Sequence, residues 1–183
     1  MKATTTTITR LDALIEMNVR WLRQALRLLD HVSDELYRDS PIGFSPHRVG
    51  GHIRHIIEFY QSFLGGFEWS YIDYDARARD KTIERNCGAA MLAIESIIRS
   101  LDAVPREERK VWTRMEDAVG LALEDSFMES SITRELQVLS SHTIHHFALI
   151  ALTLRLHGVE VDPDFGMAPS TLRYMTSRVE EVA

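Results

Sequence analysis

Residues 131–158 read SITRELQVLSSHTIHHFALIALTLRLHG, and this stretch decides the fold class. Ile132, Leu136, Leu139, Ile144, Phe147, Leu149, Ile150, Leu152 and Leu156 recur at helical intervals; Ser130 or Ser131 offers an N-cap and Gly158 a stop. Apolar residues fall on most faces, so this helix is expected to be central and to pack on several neighbours at once. Within it stand His142 and His146. At about 100° per residue their imidazoles share one face, the geometry by which a helix gives two nitrogens to a metal ion. Ser131, Glu135, His142, His146 and Thr153 form one polar line on that helix. An unpartnered polar group there costs roughly 1–3 kcal/mol. A metal would satisfy the histidines, with Glu135 as an outer acceptor or proton carrier; core histidines bonded to backbone or water are the plainer reading.

Working outward, Leu11, Leu14, Ile15, Val19, Leu22, Leu26, Leu29, Val32 and Leu36 predict one long amphipathic helix capped by Thr9 and Asp12. Pro41 and Gly43 mark a loop. Ser45-Pro46 then predicts a capped start for a second helix, carrying Val49, Ile53, Ile56, Ile57, Tyr60, Phe63 and Leu64 and ended by Gly65-Gly66. Residues 67–85 lack a helical period and read as an extended, ordered loop. Its run of Asp73, Asp75, Arg77, Arg79 and Asp80 reads as a solvated or salt-bridged face, or else as the rim of a metal pocket that binds substrate. A third helix is expected from Asn86 through Met91, Ile94, Ile97, Ile98 and Leu101, stopping before Pro105. Val111-Trp112-Thr113 and Leu121-Ala122-Leu123 predict the strands of a hairpin, with one frayed helix as the alternative. Beyond Gly158, residues 162–170 read as a tail without a regular period. Four long helices without a dividing linker point to an all-α, four-helix bundle forming a single domain over 1–183, with a small β-hairpin between helices three and four.

Composition narrows the function. Of 183 residues, 45% are hydrophobic and 26% charged, as in ordinary globular chains. Lys plus Arg number 21 against 27 Asp plus Glu, which argues against a nucleic-acid partner. The longest apolar run, Phe147 to Leu152, is far short of the ~20 residues of a membrane span. No apolar signal segment stands at Met1-Lys2-Ala3 and the threonines after it, so a cytoplasmic location is expected. The single cysteine, Cys87, excludes an internal disulfide and a Cys-rich zinc site, and its place among Ala90, Met91 and Ile94 suits a small buried hydrophobe. Glu-x-x-His, His-Glu-x-x-His, phosphate-loop and nucleophile-elbow motifs are absent. The chemistry therefore falls on the eight histidines.

A third ligand must come from another helix, and helix two offers His52 and His55. A wheel centred on Val49, Ile53, Ile56, Tyr60 and Phe63 puts His52 nearer the apolar stripe, so burial alone favours His52. Three neutral imidazoles with an open position would form a catalytic type of site. The lead Val49-Gly50-Gly51 into His55-Ile56, paired with the late His142-x-x-x-His146, resembles the DinB/YfiT-like superfamily of bacterial metal-binding four-helix bundles. The resemblance covers most of the chain, and Ile72-Asp73-Tyr74-Asp75 with Asp164-Phe165-Gly166 to Ser170-Thr171-Leu172 resembles a subgroup within it.

The resemblance implies His55, His142 and His146 as metal ligands, for zinc first, with nickel, iron or manganese as alternatives. It further implies a small-molecule substrate, such as a low-molecular-weight thiol, in an S-transferase, isomerase or hydrolase reaction. Glu135 is the expected catalytic proton carrier. Phe147-Ala148-Leu149 departs from the Arg-Gly-Gln often found after the last family histidine, and leaves the ligands intact. The competing function class is a non-catalytic helical binding or dimerisation module with a structural His cluster. Apolar positions on more than one helix face lead to the expectation of a homodimer.

Overall fold

The structure, a computed structural model, describes residues 9–115, 122 and 126–180. Helix α1 spans Arg10–Leu29, and at its start Thr9 Oγ1 accepts from the Asp12 amide while the Asp12 carboxylate accepts from the Thr9 amide. The apolar repeat through Leu36 does not remain one helix. The chain turns after Leu29, and Ser33 accepts from the Leu36 amide to cap a separate short helix, α2, Asp34–Arg38. Leu29 and Val32 are buried beside that turn, so their spacing alone could not distinguish it from a continuous helix.

Helix α3, Val49–Phe67, begins three residues after Pro46 rather than at it. Backbone turns close from Phe44 to Pro41 and from His47 to Phe44, and Arg48 stands at the N-cap without a side-chain bond. Nor does Gly65-Gly66 end this helix. Gly66 serves the chain that follows, because a methyl group there would lie 2.8 Å from the Ile72 Cα. Strand β1, Tyr71–Asp73, and helix α4, Lys81–Arg85, capped by Asp80, occupy the stretch read as an extended loop. Helix α5, Cys87–Asp102, starts from an Asn86 cap, and Cys87 is buried with its thiol directed at the Leu29 carbonyl, 3.4 Å away.

Strand β2, Lys110–Arg114, lies between β1, which it pairs in parallel (Tyr71 opposite Trp112), and β3, Met128–Ser131, which it pairs antiparallel (Lys110 opposite Ser131). The strand expected at Val111–Thr113 therefore exists, but its antiparallel partner is 128–131 and not 121–123; Leu121 and Leu123 lie outside the described residues. The physical reason is that β3 runs directly into helix α6, Ile132–Leu156, whose cap Ser131 accepts from the Arg134 amide. Helix α7, Pro169–Glu180, with proline at its first position, replaces the irregular tail.

The chain is thus mostly helical with a small three-stranded sheet. Helices α1 and α3 each pack on both α5 and α6, so the four long helices touch in a closed cycle. Their inner faces bury Leu22, Ile53, Phe63, Leu136, Leu139 and Phe147, each contributing about 1.5–3 kcal/mol of hydrophobic stabilisation. A buried polar network fixes their relative register. Asn18 Nδ2 donates to the carbonyls of Leu14 (2.8 Å) and Leu136 (3.0 Å), and the Tyr60 hydroxyl donates to Asn18 Oδ1 at 2.7 Å. Burial raises the Tyr60 phenol far above its ordinary range, which keeps it a donor. Helix α6 is not covered on every side, since Leu152 and Leu156 remain exposed. Among the described residues no helix is long and apolar enough to cross a membrane.

Candidate metal centre

Two facing helices build the site. The same network that joins α1, α3 and α6 sets their rotation, for the Tyr60 hydroxyl also meets Thr143 Oγ1 at 3.2 Å, one residue beyond His142. With that register, His55 Nε2 stands 3.1 Å from His142 Nε2, and His52 Nδ1 stands 3.0 Å from His146 Nδ1. His55, His142 and His146 each bring one ring nitrogen within 4.8 Å of the others, a cluster that could hold a metal ion. Nitrogens on one tetrahedral zinc, each about 2.0–2.1 Å from it, lie about 3.3 Å apart, so the 3.1 Å separation suits a shared ion as well as a hydrogen bond.

Of the two candidates on α3, His55 belongs to this cluster and His52 does not. His52 instead meets Nδ1 of His146, and when His146 donates through that atom its Nε2 lone pair is free for an ion. Among the described residues two buried ring nitrogens, His142 Nδ1 and His52 Nε2, have no partner, so hydrogen bonds between these residues alone do not satisfy the group. Stacked at 5.8 Å on His52 is His47; His157 lies apart, 3.9 Å from Asp39.

Burial lowers all four imidazoles below the ordinary histidine range, with neighbouring histidines and, for His55 and His142, Arg77 adding to it. His52 and His142 fall to about 4, His55 to about 3 and His146 to about 2. They are neutral near pH 7 and keep the lone pairs a metal needs. The same shifts set an acid limit. Below the unfolded value of 6.5 the unfolded chain takes up protons that the folded chain refuses, so stability is complete above that pH and is lost as the pH falls towards 4. Metal-free protein should lose about 1.4 kcal/mol per pH unit for each net proton, or about 3–6 °C in Tm per unit, between pH 6 and 5. A Tm unchanged from pH 7 to pH 5 in chelator-treated protein would contradict this.

Aromatic rings back the cluster. Phe59, one turn after His55, stacks on His142 (centroids 3.9 Å apart, planes at 17°), and Tyr74 of the loop after β1 stacks on Phe59 at 5.0 Å. The Tyr74 hydroxyl donates to Glu135 Oε2 at 2.8 Å, and Ser130 Oγ donates to Glu135 Oε1. Burial and the Glu135 carboxylate hold the Tyr74 phenol far above its usual range, so it stays a donor. Glu135 itself is 4% exposed, and its contacts connect it to His142 through two stacked rings. Phe59 and Tyr74 were missed in the sequence; the signal available was that Phe59 shares the α3 face of His55.

The acidic and basic run after β1 divides in two. Asp73 and Asp75 pair with Arg114 at 3.1 and 3.5 Å and Asp80 caps α4, as a salt-bridged loop would, whereas Arg77 reaches the centre and donates to Nδ1 of His55. The Arg77 guanidinium also lies 5.2 Å over Phe59. On the other side a cavity of about 400 Å³ opens on His52, His55 and His146, bordered by Arg48, Arg54 and Lys81. Arg54 pairs with Glu58 (3.2 Å) and Glu84 (3.1 Å), and Lys81 with Glu84 (2.9 Å). Compared with known protein families, curated proteins and solved structures, the chain matches none of them.

Proposed function

We propose that the chain is a metal-dependent enzyme built as a DinB-like four-helix bundle, with His55, His142 and His146 holding one divalent ion, zinc first among the candidates. The observation that carries the reading is the convergence of three neutral imidazoles beside an open cavity. A divalent ion with an open position favours the deprotonated form of a small thiol or water, which is the chemistry of thiol transfer and of hydrolysis. The chain's own residues hold and orient. His52 fixes the His146 ring, Phe59 fixes the plane of His142, and Tyr74 with Glu135 supports Phe59 from behind. Glu135 enters as a positioning residue acting through those rings. A closed structural site would need a fourth protein ligand, and among the described residues no fourth side chain joins the cluster of His55, His142 and His146.

The test is a panel of small thiols with electrophiles, and of labile esters, assayed on zinc-loaded protein beside His142→Ala and Glu135→Gln. Turnover is expected to require zinc, to fall to the metal-free level in His142→Ala, and to drop by about 10-fold in Glu135→Gln, the size of an effect exerted from outside the ligand set. Turnover that survives His142→Ala would refute the reading.

A further inference from the structure

We propose that the metal-loaded site takes a small anionic substrate whose carboxylate or phosphate group is held by Arg77, and that ion and anion bind cooperatively through His55. The inference rests on the metal-centre reading above and names the substrate class for it.

A guanidinium can only donate. Nδ1 of His55 is therefore the acceptor of the Arg77 bond, and the single proton of that neutral ring sits on Nε2, the atom 3.1 Å from His142 Nε2. An ion held by His55 needs the Nε2 lone pair. The ring proton then moves to Nδ1, which has nothing left to offer Arg77, and the guanidinium is released beside a dication.

Its Nε is already buried without a partner, and among the described residues no carboxylate pairs with it. The nearby acids are engaged elsewhere: Asp73 and Asp75 by Arg114, Glu58 by Arg54, Glu84 by Arg54 and Lys81, Glu135 by Tyr74 and Ser130. Among the described residues no free carboxylate is left to compensate Arg77, and a bound oxyanion would do so. An oxyanion suits the planar fork of donors of the Arg77 guanidinium. Because the coupling is reciprocal, whatever the ion does for the anion the anion does for the ion.

The experiment is calorimetric titration of zinc into the full chain, its Arg77→Gln variant and its Arg77→Lys variant, in chloride buffer and again with acetate or methylphosphonate. Three results are expected. Either oxyanion tightens zinc binding by the parent chain about 10-fold; Arg77→Gln binds zinc about 10-fold more tightly than the parent in chloride, having lost the competitor for His55; and the oxyanion effect disappears in Arg77→Gln but persists in part in Arg77→Lys. Response to acetate alone or to methylphosphonate alone identifies which oxyanion the site takes. Zinc binding that ignores both oxyanions overturns the inference and leaves the metal reading standing. An enhancement undiminished in Arg77→Gln also overturns it, since the anion would then sit on the ion alone. If no protein binds zinc, the metal reading falls and this inference with it.

Discussion

Alanine at His55 or at His142 is expected to weaken zinc binding at least about 100-fold, or about 2.8 kcal/mol, as measured by competition with a chromophoric chelator. Each substitution would remove one of the three imidazoles that, among the described residues, could together hold an ion, and would leave two that cannot fix a tetrahedral geometry. His52→Ala is the informative companion. It deletes the partner of His146 Nδ1 without touching a ligand, so a loss of about 10-fold is expected, the usual cost of removing an outer hydrogen-bond partner. Far-UV circular dichroism should be the same for all three variants, because these rings are only partly buried and stand outside the apolar core. The reverse order, with His52→Ala abolishing binding and His55→Ala sparing it, would show that the ligand on α3 has been misassigned.

A second large effect is expected at Gly50, in the first turn of α3. A methyl group there would lie 2.6 Å from the Tyr37 ring and closer still to the carbonyl oxygen of Glu84. Tyr37 cannot yield easily, since it is fully buried and its hydroxyl donates to the Ile83 carbonyl at 2.8 Å. Alanine would gain up to about 1 kcal/mol of helix propensity over glycine, but forcing α3 away from α4 costs more, and a net loss of about 2–3 kcal/mol is expected. That corresponds to a fall of about 5–10 °C in Tm. Gly65, in the same helix, has open space where a methyl would go, so Gly65→Ala should stabilise by about 0.5–1 kcal/mol. If thermal melts find the two substitutions equal, the tight approach of α4 to α3 at Gly50 does not exist in solution.

Much of the architecture was legible where a local signal was strong. Thr9 with Asp12, Asn86 and Ser131 each mark a helix start in the sequence and each caps one in the structure. Signals that depend on distant residues were not legible. β1 and β2 lie about forty positions apart and join in parallel, which no short-range pattern announces. The break after Leu29 was hidden because the residues around it stay buried and keep the helical spacing. Ser45-Pro46 looked like a helix start, yet the chain closes two backbone turns there before α3 begins.

The site divides in the same way. His142 and His146 could be read from spacing on one helix, because that geometry is local. Choosing between His52 and His55 depends on how α3 is rotated against α6, and the wheel, drawn on the apolar stripe alone, favoured the wrong side for the three-residue cluster. Rotation is set by the contacts of Tyr60 with Asn18 and Thr143, which join three separate helices. Arg77 reaches His55 from an irregular segment, where sequence offers no direction for a side chain.

The most direct measurement is X-ray absorption at the zinc edge of protein loaded with one equivalent of zinc. Three nitrogen neighbours at about 2.0 Å with the scattering pattern of imidazole, and one further light atom that is not imidazole, are expected. A shell of oxygen atoms alone, or four imidazoles, would contradict an open site built from His55, His142 and His146.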